Sequence, residues 1–116
     1  MTEGDGVRME FDEVGHLRRR IVARCLDLLI APHERFRLEQ PGFGHSTRSE
    51  ETHVRVLDEM LTLLVEVFPC RAGLDWLRQP NAAFSWRTPL ELAQHGPSGL
   101  RGVRDHLRIL HEASID

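Results

Sequence analysis

The stretch TRSEETHVRVLDEMLTLLVEVF, residues 47 to 68, decides the fold. Within it Val54, Leu57, Leu61, Leu64 and Phe68 recur at near-heptad spacing, and Met60 and Val65 widen the stripe. That is the period of a helix with one buried face. Thr47 followed three residues later by Glu50 fits a capping box, in which each side chain satisfies a free backbone N–H at a helix start. The spacing predicts a helix from there to about Val67.

Upstream, Phe11, Val14, Leu17, Ile21, Cys25 and Leu28 recur at three- and four-residue steps between Met9 and Ile30, with Arg18, Arg19, Arg20 and Arg24 in the gaps. This predicts an amphipathic helix that Pro32 stops. The arginine run reads either as a phosphate-contacting patch or as a solvated face. The two apolar stripes specify a buried seam, within one molecule or across a dimer. Residues 31 to 47 carry Pro32, Pro41, Gly42 and Gly44 without a sustained apolar period, so a long loop is expected, pinned by Phe36, Leu38 and Phe43.

Downstream, a short helix is expected over Ala72 to Arg78, with Leu74 and Leu77 on one face, ended by Pro80 because the residue before a proline leaves the helical region. Thr88-Pro89-Leu90-Glu91 combines a capping hydroxyl, proline at the first helical position and a carboxylate at the third, three agreeing start signals. That helix should end near His95 with Gly96 as C-cap, and Ser98 should cap a last helix carrying Leu100, Val103, Leu107 and Leu110. No run alternates long enough for a strand. The expected fold is all-α: a small bundle of two long helices plus a C-terminal unit of three. The division expected is 1–48, a helix and loop suited to oligomerisation, and 49–116. A helix-turn-helix, which needs short helices joined by a tight turn, is not legible in the N-terminal half.

At 116 residues and 41% hydrophobic, the chain can bury a modest core without disulfides or metal. A net charge of -3 gives no global basic field for nucleic acid or anionic lipid. Cys25 and Cys70 are isolated thiols read as reduced, and with no leader or bilayer-length apolar run the expected location is the cytoplasm. The seven histidines lack metal spacing; His106 and His111, five apart, do not share a helix face, and His16, His33, His45 and His53 are scattered. Both cysteines sit at apolar helix positions or edges, where the side chain acts as a small hydrophobe. No phosphate-cradling loop appears. No catalytic residue, cofactor or metal is therefore expected, and an enzyme is not.

The unusual segment is Trp76 to Trp86, with both tryptophans and Phe84 in eleven residues. Trp76 is expected in the core, and Trp86, two residues past Phe84 in a loop, exposed toward a partner. Trp76-Leu77, then Pro80-Asn81-Ala82-Ala83-Phe84, then Arg87-Thr88-Pro89-Leu90-Glu91-Leu92, then Gly96 and a helix with Val103 and Leu107, together resemble the toxin-binding domain of the Xre/MbcA/ParS antitoxins, over roughly Leu57 to Ala113.

The resemblance implies an antitoxin of a type II toxin-antitoxin system. Its partner would be a RES-domain toxin, a class that consumes or transfers parts of NAD, and docking over the active-site entrance would block NAD sterically. Trp86, Arg87, Arg101, Arg104, Arg108 and His111 are the candidate contacts, and the tail His111 to Asp116 a candidate plug. Two departures stand out: Trp86 occupies a turn where the family commonly has a small residue, often glycine, and the usual N-terminal helix-turn-helix for promoter binding is missing. The alternatives are a DNA-binding regulator using Arg18, Arg19, Arg20 and Arg24 on phosphates, and a helical homo-oligomeric scaffold. A homodimer or a hetero-oligomer is compatible with the reading; a membrane is not.

Overall fold

Three long helices and three short ones follow one another in the computed structural model, which describes the backbone of residues 2–40, 47–69 and 71–115 and the side chains of 13–40, 50–69 and 71–113. They are α1 Thr2–Asp27, α2 Pro32–Glu39, α3 Thr47–Val67, α4 Ala72–Arg78, α5 Pro89–Gln94 and α6 Pro97–Ile115, with a 3₁₀ turn at Ala82–Phe84. The architecture is all-α, and the one β-type pairing among the described residues is an isolated bridge between Asn81 and Arg87. Phe43, the side chain of Thr47 and Cys70 lie outside the described residues.

Helix α3 is the axis. Its stripe residues Val54, Leu57, Met60, Leu61 and Leu64 are fully buried, α1 covers one flank with Ile21, Cys25 and Leu28, and α6 covers the other with Leu100, Val103 and Leu107. The seam left open by the sequence is therefore closed within one molecule. These side chains form one cluster drawn from both halves of the chain, each buried leucine or valine contributing about 1.5–3 kcal/mol relative to exposure. The radius of gyration, 15.0 Å, exceeds the roughly 13 Å of a compact domain of this size. A helix as long as α1 spans about 39 Å at 1.5 Å per residue, more than its buried contacts with α3 occupy.

The expected loop after the first helix is wrong over residues 32–39, which form α2. Pro32 stands at its first position, where the missing N–H is no loss, and the Glu34 carboxylate accepts the Ala31 N–H at 3.0 Å. The period is unreadable because the helix buries little: Leu38 is buried, while Phe36, expected to pin the segment, is 63% exposed. Tertiary contacts hold it instead. Arg78 of α4 reaches Glu34 with both terminal nitrogens, at 2.9 and 2.7 Å, and its guanidinium holds the Glu34 carboxyl below the usual carboxylate range. His53 Nε2 of α3 donates to the Leu38 carbonyl.

Boundaries differ elsewhere too. Helix α1 starts at Thr2 rather than Met9 and stops at Asp27. Its end is a Schellman turn, with the Ile30 N–H on the Cys25 carbonyl at 2.8 Å and the Leu29 N–H on the Leu26 carbonyl at 3.2 Å. Leu29 takes the left-handed position at φ 57° usually given to glycine. Helix α4 matches expectation, and in α5 Thr88 Oγ1 accepts the Glu91 N–H at 3.1 Å. His95 rather than Gly96 is the C-cap, Gly96 following at φ 123°. Helix α6 opens at Pro97, so Ser98 lies inside it.

Candidate partner-binding surface

The surface is built on the loop between α4 and α5, and Asn81 ties it. The Asn81 N–H donates to the Arg87 carbonyl at 3.1 Å, its carbonyl accepts the Phe84 and Trp86 N–H groups at 2.9 Å each, and its Oδ1 accepts the Ala83 N–H at 2.9 Å. Four hydrogen bonds on one residue close the loop, and the Arg87 N–H on the Phe84 carbonyl at 3.1 Å closes the tight turn at its tip. Ser85 at φ 55° and Trp86 at φ 65° occupy the two central positions. Successive positive φ angles define the primed turn that asparagine and glycine usually supply. The turn thus keeps the geometry a glycine would favour, with a tryptophan in it.

Under the loop lies a chain of rings. Phe84 meets Trp76 edge-on at 6.1 Å and His106 of α6 at 5.1 Å. Trp76 stacks parallel to His106 at 6.1 Å and lies 5.5 Å from Phe68 at the end of α3. Trp76, expected in the core, is partly buried and packs against it. Phe84 therefore plugs the loop into the body, while Trp86 stands 71% exposed. A shallow hollow lined by Phe84, Ser85, Arg87 and Leu92 lies beside it.

The structure separates the charged candidates into two groups. Arg104 bonds Glu59 of α3 at 3.6 Å and Asp105 at 2.9 Å, Arg108 bonds Glu59 at 2.8 Å, and His111 lies 3.1 Å from Glu66. The pairs with Glu59 and Glu66 lace α6 to α3. Arg87 and Arg101 are exposed and form no ion pair among the described residues. The candidate tail is not loose: residues 111–115 are the last turn of α6. Ile109, 62% exposed on the outer face of α6 and one turn beyond His106, was missed by the sequence reading. The signal was there, because Ile109 falls outside the stripe of Leu100, Val103, Leu107 and Leu110.

In the arginine run of α1, Arg20 pairs with Asp58 of α3 at 3.3 Å and donates to Thr62 Oγ1 at 3.5 Å while its side chain stays 42% exposed, and Arg19 is exposed. Burial pushes the Cys25 thiol up to about 12, against a smaller opposing pull from Arg35, so it carries no thiolate at neutral pH. No group of three metal-ligating side chains occurs among the described residues. No helix among them is long and apolar enough to cross a membrane.

Residues 63–111 match the family model of the antitoxin Xre/MbcA/ParS C-terminal toxin-binding domain. The match spans the end of α3, the Asn81-tied loop and all but the last turn of α6. No curated protein and no solved structure matches the chain.

Proposed function

We propose that this chain, which carries an Xre/MbcA/ParS toxin-binding domain over residues 63–111, neutralises a RES-domain toxin by covering the entrance of its NAD site. The observation that carries the reading is Trp86: 71% exposed and held at φ 65°, it combines an unfavourable backbone position with an unfavourable environment. Exposed tryptophan and arginine are the residue types that dominate interface energies. Trp86, Arg87 and Arg101 form the leading contact set, with Ile109 extending it along α6. Arg104, Arg108 and His111 serve first to fix α6 and reach the partner from its edge. Blocking is steric, so the chain supplies no catalytic group.

The test is co-expression with a RES-domain toxin, together with an NAD-consumption assay on the purified pair. Trp86→Gly suits the turn and removes the anchor. It should keep helicity while inhibition weakens about 30-fold, the effect of losing roughly 2 kcal/mol of a hot spot. Full inhibition by Trp86→Gly, or no inhibition by the unaltered chain, defeats the reading.

A further inference from the structure

We propose that the hollow beside Trp86 receives an acidic side chain of the bound toxin, its carboxylate on Arg87 and its methylenes on Phe84 and Leu92; this rests on the toxin-binding reading above and names the chemistry of the partner group. The hollow encloses about 310 Å³, at the small end of ligand pockets, which run roughly 300–1,000 Å³. It therefore suits one side chain rather than a cofactor. Its lining is Phe84, Ser85, Arg87 and Leu92, two apolar side chains, a hydroxyl and a guanidinium. There is no carboxylate among these described residues.

The guanidinium selects the occupant. Arg87 is exposed and forms no ion pair among the described residues, whereas Arg78, Arg104 and Arg108 are each paired with a carboxylate. Glu91, four residues on, forms no ion pair with it, since Arg87 lies ahead of the Thr88 cap rather than on the helix face where that spacing pairs. Both backbone groups of Arg87 are held in the loop: its N–H donates to the Phe84 carbonyl and its carbonyl accepts the Asn81 N–H, at 3.1 Å each. The guanidinium thus projects from a fixed backbone, and binding orders only the side chain. Arginine offers a carboxylate two parallel N–H donors, and the Ser85 hydroxyl can supply a third. A lysine or arginine of the partner would meet repulsion there, and a purely apolar side chain would strip water from the guanidinium without replacing its acceptors.

Inhibition of a RES-domain toxin by Arg87 variants of the full chain tests this. Because the Arg87 side chain forms no ion pair among the described residues, Arg87→Gln and Arg87→Glu should keep helicity and melting temperature. Arg87→Gln should weaken inhibition about tenfold and Arg87→Glu about 100-fold, since the second brings like charges face to face. Toxin variants that stay toxic alone, selected for neutralisation by the Arg87→Glu chain, should exchange an aspartate or glutamate for lysine or arginine. Full inhibition by Arg87→Glu overturns the proposal, as do suppressors that leave every toxin carboxylate in place. Calorimetric binding of NAD to the free chain, removed by Arg87→Glu, overturns it too by giving the hollow to a phosphate. If Trp86→Gly inhibits fully while Arg87→Glu is rescued by an acid-to-base change in the toxin, the hollow stands without the Trp86 anchor. A weakened Trp86→Gly beside a fully active Arg87→Glu overturns this proposal and leaves the Trp86 reading standing.

Discussion

At Gly99 and Gly102 one helix holds two glycines with opposite roles. A Cβ on Gly99 would run into the Leu92 carbonyl of α5, whereas nothing lies within 4 Å of one on Gly102. Gly99→Ala should therefore pry α5 from α6 and lose about 1–3 kcal/mol in urea unfolding. Gly102→Ala should gain about 0.5–1 kcal/mol by stiffening the unfolded chain. His53 gives the residue scale its pH dependence. Burial, with the nearby Arg101 and Arg18, lowers its pKa below 6.5 against the opposing Leu38 carbonyl. Above that value both states are neutral; as pH falls through it the unfolded chain takes a proton the folded chain resists, so stability drops. Unfolding measured from pH 7 to 5 should show this slope, and His53→Gln should flatten it.

At the scale of elements, local and distant signals part company. Helix α5 is six residues long and rests on its cap, so Thr88→Ala should cost about 1 kcal/mol in thermal unfolding. Its start was legible because Thr88, Pro89 and Glu91 act within one turn. The body of α3 and all of α4 were legible for the related reason that apolar spacing or flanking prolines speak locally. Helix α2 was not: Glu34 with Arg78 and Leu38 with His53 are pairings across 44 and 15 residues, which no local window contains. Pro32 misled because the proline that ends one helix also opens the next. At the candidate surface, the exposure of Trp86 was legible from its place in the loop. The pairing of Arg104 and Arg108 with Glu59 was not, because an arginine bound to a neighbouring helix and one facing solvent have the same spacing in sequence.

At the scale of the whole molecule, one cluster joins Ile21 and Cys25 of α1 to Leu57 and Leu61 of α3 and to Val103 and Leu107 of α6. The segment 63–111 begins inside α3, so it borrows buried surface from residues ahead of it. Unfolding should be one cooperative transition, with coincident melting by far-ultraviolet dichroism and tryptophan emission. Removal of residues 1–46 should lower the midpoint, since it strips the Ile21, Cys25 and Leu28 layer from α3; an unchanged midpoint would show that α1 adds nothing to that core. The two tryptophans also sit in contrasting places, and the chain has no tyrosine. Trp76 lies among rings and Trp86 in water. Native emission therefore has two components, and the one accessible to iodide quenching belongs to the turn. A ligand that covers Trp86 would shift that component to the blue and shield it from quencher, which makes the proposed contact site its own optical probe, without a dye or a tag.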